Sequence, residues 1–156
     1  MKKLRVTASA LLVVLAASVT AYAGPTFPIK ARGSQVFEDG GGADWVVEVT
    51  ISNNGRIDMA SNIKAHRSLN GWCGRFAVYI FDKAGNVLDR YGMGENHSWC
   101  VNGRLSPAGQ HERNDELHQN IPADVLTKMD SVAVLQVTAP TGKFSLEEAK
   151  KIAGAE

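Results

Sequence analysis

The sequence predicts a mainly-β fold: a β-sandwich of six or seven strands with one short helix at its C-terminal end. Three observations predict it. In WVVEVTIS (45–52), Trp45, Val47, Val49 and Ile51 alternate with Glu48, Thr50 and Ser52, the period-two pattern of a half-buried strand. RFAVYIFD (75–82) and VLDRYGM (87–93) are rich in strand formers and separated only by KAGN, whose Gly85 and Asn86 tolerate the positive φ of a hairpin turn. Turn-forming clusters recur about every 8 to 12 residues, a spacing that fits short strands in a sandwich.

The first element stands outside that fold. MKKLRVTASALLVVLAASVTAYAG sets Lys2, Lys3 and Arg5 ahead of an apolar run from Ala8 to Val19 and ends in Ala21-Tyr22-Ala23, the layout of an export signal cut after Ala23. The run falls short of the roughly 20 residues that a membrane-spanning helix needs, and no later segment approaches that length. Gly24 occupies the position where a lipid-anchored protein would carry cysteine. Residues 1–23 are expected to leave as a signal peptide and residues 24–156 to form one soluble domain, periplasmic or secreted. Three of the 17 basic residues go with the leader and none of the 16 acidic ones, leaving 14 against 16, or a net charge of about −2. With no Lys/Arg cluster to neutralise phosphates, nucleic acid is not an expected partner.

The remaining elements follow in chain order. IKARGSQVFEDGGG reads as an edge strand running into a glycine-rich turn at Gly40 to Gly42, ahead of the strand at 45–52. Between Asn53 and Gly71 the pattern predicts a turn and then a strand around Asn62 to Arg67. In the hairpin, Asp82 is expected to face Val87. HERNDELHQNIP (111–122) is polar, with Leu117 and Ile121 as its apolar points, and reads as an edge strand leading to a turn or helical piece in PADVLTKMD. SVAVLQVT (131–138) is apolar at nearly every position, as in a strand covered on both faces or central in its sheet. TAPTGK carries Pro140 and Gly142 and connects that strand to the helix.

The helix lies in FSLEEAKKIAGAE. Ser145 and Glu148 form a capping box, and Phe144 precedes the cap where a hydrophobic staple begins. Glu147 and Glu148 open the segment and Lys150 and Lys151 follow, the order the helix dipole favours.

These elements fit an immunoglobulin-like β-sandwich, with a small β-barrel as the alternative. Within VYIFDKAGNVL (78–88), a hydrophobic strand ends in an aromatic and an aspartate, then a glycine turn, then an apolar pair. Ile80, Phe81, Asp82, Gly85, Val87 and Leu88 carry that pattern, which resembles the hairpin of the FxLYD family and related bacterial immunoglobulin-like domains. The resemblance covers about 11 residues. It implies a sandwich fold and an exported setting, and it brings no catalytic residues or cofactor.

The chain has two cysteines, Cys73 and Cys100, each preceded by a tryptophan. In an oxidising compartment two cysteines most often pair. Strands diverging from the KAGN turn bring Cys73 and the region of Cys100 to the open end of the hairpin, so a Cys73–Cys100 disulfide is expected. It would close a loop of about 28 residues, worth roughly 3 to 4 kcal/mol by chain entropy. HSWC (97–100) also admits a metal reading, with His97, Cys100, Cys73 and one of His66, His111 or His118 as ligands for copper or zinc. Its spacing is not that of a known site. A cysteine nucleophile is disfavoured because an exported thiol beside a second cysteine oxidises.

No catalytic motif is present: G-x-S-x-G, H-E-x-x-H, the phosphate-binding loop and C-x-x-C are all missing from the sequence. DRYGMGENHSW gathers glycines, aromatics and a histidine in one loop. Tyr91, His97, Trp99 and nearby Arg104 are its candidate binding residues, since aromatics and arginine dominate recognition hot spots. The bland alternative has Tyr91 and Trp99 packing around the disulfide. The expected function is therefore a non-catalytic binding module without cofactor, recognising or neutralising an envelope component or another exported protein. A metal-binding protein or a hydrolase built from dispersed histidines and carboxylates is the alternative.

Overall fold

The computed structural model describes residues 25–38, 41–66, 70–94 and 96–154. The export signal expected over residues 1–23 lies outside the described residues, as do Gly40 and Arg67. The elements run β1 (Ile29–Phe37), β2 (Ala43–Ile51), β3 (Arg56–Ala65), β4 (Trp72–Asp82), β5 (Val87–Gly92), β6 (Trp99–Val101), β7 (Glu112–Asn120), α1 (Ala123–Lys128), β8 (Met129–Thr138) and α2 (Leu146–Ala153). Among the described residues no helix is long and apolar enough to cross a membrane.

The strands form two antiparallel sheets facing each other as a β-sandwich. In the first the spatial order is β1-β2-β3-β7. In the second β4 is central: β8 pairs with one edge from Gly74 to Asp82, while β5 and β6 lie end to end along the other. An immunoglobulin domain sends its third strand to the opposite sheet. Here the turn at 53–55 keeps β3 beside β2, where Gly55 N–H donates to the Ser52 carbonyl at 3.0 Å and Arg56 N–H to Asn54 Oδ1 at 3.1 Å.

Alternation decides which faces meet. Trp45, Val47, Val49 and Ile51 of β2, with Ile57, Met59 and Ile63 of β3, point across to Trp72, Phe76, Val78 and Ile80 of β4, and all are buried. A fully buried side chain of this size contributes about 1.5 to 3 kcal/mol over its exposed state. This shared core therefore outweighs the polar contacts at the rims. β3 begins at Arg56, six positions before the expected start: Ile57, Met59 and Ile63 face inward from the outset, and the polar Ser61 breaks that apolar series in the sequence. Ser61 is buried and accepts a hydrogen bond from Trp45 Nε1 at 2.7 Å, so it occupies a core position at little cost.

The hairpin forms as expected, with its register shifted by one: Phe81 rather than Asp82 faces Val87. Asp82 is drawn into the turn, where its carboxylate accepts from Ala84 N–H at 2.9 Å, Asn86 N–H at 2.8 Å and Asn86 Nδ2 at 3.0 Å. Gly85 supplies the positive φ of 78°. Both faces of β4 are covered. Its second face carries Phe81, which packs with Ala133 and Leu135 of β8 and with Ala149 of α2. This cover explains the apolar run at 131–138: β8 is buried on two faces while lying at the margin of its sheet. Ser145 caps α2, accepting from Glu148 N–H at 3.3 Å. Phe144 lies below the guanidinium groups of Arg90, at 4.7 Å from its ring centroid, and Arg75, at 5.7 Å.

Candidate functional site

Cys73 and Cys100 stand directly opposite each other on β4 and β6 and form a disulfide, with Cα atoms 4.1 Å apart. Their tryptophan neighbours point the other way, into the sandwich. Trp72 meets Phe37 at 4.7 Å and Trp45 at 5.3 Å between ring centroids, and Trp99 meets Phe76 at 5.5 Å. The bond engages both thiols, which removes them from the metal reading of HSWC. Among the described residues no three His, Cys, Asp or Glu side chains are grouped to hold a metal ion.

The bond anchors one end of a trough. β5 stops at Gly92, the chain loops out, and it returns as β6 along the same edge of β4. The loop begins at Gly92 because φ there is 98°, and a side chain at this position would press on the Phe76 carbonyl. Met93 N–H then donates to that carbonyl at 3.0 Å and turns its own side chain inward. Between this stretch and β7 opens a cleft of about 450 Å³ lined by the consecutive residues Arg90 to Gly94 and by Gln119. It continues into a second cleft of about 330 Å³, where Met93, Trp99 and Leu117 form the apolar lining and His97 and Gln119 the polar one. Gln119 bridges the two sheets: its Oε1 accepts from Gly92 N–H at 2.8 Å, and its Nε2 donates to the Gly92 carbonyl at 3.4 Å.

The four candidate binding residues separate in this geometry. His97 is exposed and Trp99 half-buried, and both line the second cleft. The Arg113 guanidinium lies 6.0 Å from the Trp99 ring centroid and is itself held by Asp115. Tyr91 lines the first cleft, yet its side chain is buried and its hydroxyl donates to Asp89 Oδ2 at 2.6 Å. Burial, reinforced by the Asp89 carboxylate, pushes this phenol well above its ordinary pKa. Arg104 is exposed in the loop after β6 and is not among the lining residues of either cleft. No sequence motif marks Met93, Leu117 or Gln119 as binding residues. Leu117 stood out as an apolar point in a polar strand, while Gln119 gave no local signal, since its partner lies 27 residues away.

A second polar group occupies the outer face of the first sheet. Asp58 Oδ1 accepts from Arg56 Nε at 2.7 Å and lies 2.6 Å from His118 Nδ1. The Arg56 hydrogen bond, with that of His118, holds the Asp58 carboxyl below its ordinary range against a smaller desolvation effect. Both basic side chains are about half exposed, at 54% and 49%, so the arrangement is that of a solvated surface network.

Comparison with protein-family models, with characterised proteins and with solved structures finds no match to this chain.

Proposed function

We propose that this chain is an exported, non-catalytic binding module that recognises another exported protein or an envelope component through the trough between β5 and β7. One observation carries the reading: a cleft lined by the apolar Met93, Trp99 and Leu117 lies beside the exposed His97, on a strand frame crosslinked by the disulfide. An apolar recess with a few convergent polar groups is the usual form of a recognition site. Rigid strands supply its position, and Met93, Gly94 and His97 from the connection after β5 supply one wall. The disulfide fits an oxidising compartment, periplasmic or extracellular, and the immunoglobulin-like hairpin pattern at 78–88 belongs to the same reading.

A photo-crosslinking amino acid placed at position 97 tests it in living cells. The expected result is one discrete protein adduct, lost when Trp99→Ala is added and retained with Arg104→Ala. Stoichiometric copper or zinc in the purified protein, abolished by His97→Ala, would replace this reading with metal handling.

A further inference from the structure

We infer that the trough accepts an extended peptide segment by strand addition to β5, and that the Gln119 side chain is a built-in stand-in which the segment displaces. The inference rests on the trough being the recognition site and names what enters it. β4 occupies one edge of β5, and the first cleft runs along five consecutive residues, Arg90 to Gly94. A hollow lined by successive backbone units has the shape of an extended chain. In an antiparallel ladder, hydrogen-bonded partners exchange both N–H···O contacts. The Gln119 carboxamide makes that exchange with Gly92, accepting at 2.8 Å and donating at 3.4 Å. A primary amide here occupies the place of a peptide group. The neighbouring outward N–H, that of Arg90, is likewise met by a side chain, donating to Asp89 Oδ1 at 2.8 Å. Both contacts are side-chain substitutes for strand pairing, which an incoming backbone can exchange one for one.

The side-chain chemistry of the segment follows from the trough's two ends. The cleft of about 330 Å³ over Met93, Trp99 and Leu117 takes an apolar side chain. At the other end Arg90 lines the trough, with its guanidinium over the rings of Phe144 and Tyr79 and no ion pair among the described residues. A carboxylate on the segment meets that cation. Running antiparallel, a residue opposite Met93 precedes the one opposite Arg90 by about three positions at the ladder's one-to-one register. The segment is therefore an extended stretch of a partner protein with an apolar residue followed about three positions later by Asp or Glu.

A phage-displayed library of linear peptides, panned on the disulfide-bonded protein, tests this. Enriched peptides should share that apolar-to-acidic spacing, and the best of them should shift the Gly92 and Met93 amides and the Trp99 indole in NMR spectra. Methylating the peptide nitrogen that faces Gly92 should weaken binding at least tenfold. Gln119→Ala, which removes the competitor, should tighten it about fivefold; if that variant does not fold, the methylation comparison in the unaltered protein decides. No enrichment, resonance changes elsewhere, or equal binding of the methylated peptide would overturn the inference and leave Gln119 and Asp89 as simple guards of a strand edge. A crosslinked partner at position 97 whose complex leaves the Gly92 amide unperturbed would overturn strand addition alone. Absence of any adduct at position 97 would remove the recognition reading itself.

Discussion

Trp45 and Ser61 meet across neighbouring strands in the middle of the sandwich, the indole N–H donating to the serine hydroxyl at 2.7 Å with both residues buried. The bond lets a large aromatic fill the core without leaving its one donor unmet. Ser61→Ala should strand that N–H and lower stability by about 1 to 3 kcal/mol. Chemical denaturation of the variant would show the loss; an unchanged midpoint would mean that the indole finds another acceptor.

The disulfide ties the return strand β6 to β4 directly. Reduction, or the double change Cys73→Ser with Cys100→Ser, should cost roughly 3 to 4 kcal/mol on the chain-entropy account. Thiol titration of unreduced protein should find no free sulfhydryl, and the denaturation midpoint should fall on reduction. Because the bond holds one wall of the trough, adduct formation at position 97 should fall with it.

Acid should weaken the fold through two carboxylates. The Arg56 hydrogen bond lowers the Asp58 pKa, and the Asn86 side-chain hydrogen bond, followed by its backbone N–H, lowers that of Asp82. A folded pKa below the unfolded one means that the unfolded chain binds more protons in acid. The stabilising contribution is complete above the unfolded value near 4 and is lost as pH falls through the lower folded values. Asp58→Asn and Asp82→Asn should each flatten the acid side of a urea-midpoint profile, and a profile identical to the parent's would count against the assignment.

At the alkaline end the sign reverses. The Tyr91 phenol is raised by burial first and by Asp89 second, so its contribution is complete below an unfolded pKa of about 10 and is lost as pH rises through the folded value. Ultraviolet titration should show a late phenol ionisation that Tyr91→Phe abolishes.

Phe144 carries the docking of α2, a helix in which Ala149 is the buried residue. Phe144→Ala removes the ring under Arg75 and Arg90 and part of the cover over Phe81 and Leu135. A half-buried aromatic of this kind should cost about 1 to 2 kcal/mol. Hydrogen exchange should accelerate first in α2, ahead of β4. Uniform acceleration would mean that the helix and the sandwich unfold as one unit.

Local pattern determined most of the elements. Alternation from Trp45 to Ile51 marked β2, the KAGN turn marked the hairpin, the S-x-x-E box marked α2, and a pair of cysteines at the hairpin's open end marked the crosslink. Each is a signal within a few residues, set by backbone geometry and by the polarity of alternate side chains. What no local signal contained was decided by packing across distance. A serine at an inward position hid the start of β3 because its partner, Trp45, sits on another strand. The candidate loop likewise mixed residues with different fates: core packing takes the side chain of Tyr91, while His97 and Trp99 remain at the trough. Only when the two sheets close do Leu117 and Gln119, on a polar edge strand, come to face Met93 and Gly92. Burial is a property of the closed sandwich, since which face of an edge strand meets water depends on what the rest of the chain brings against it.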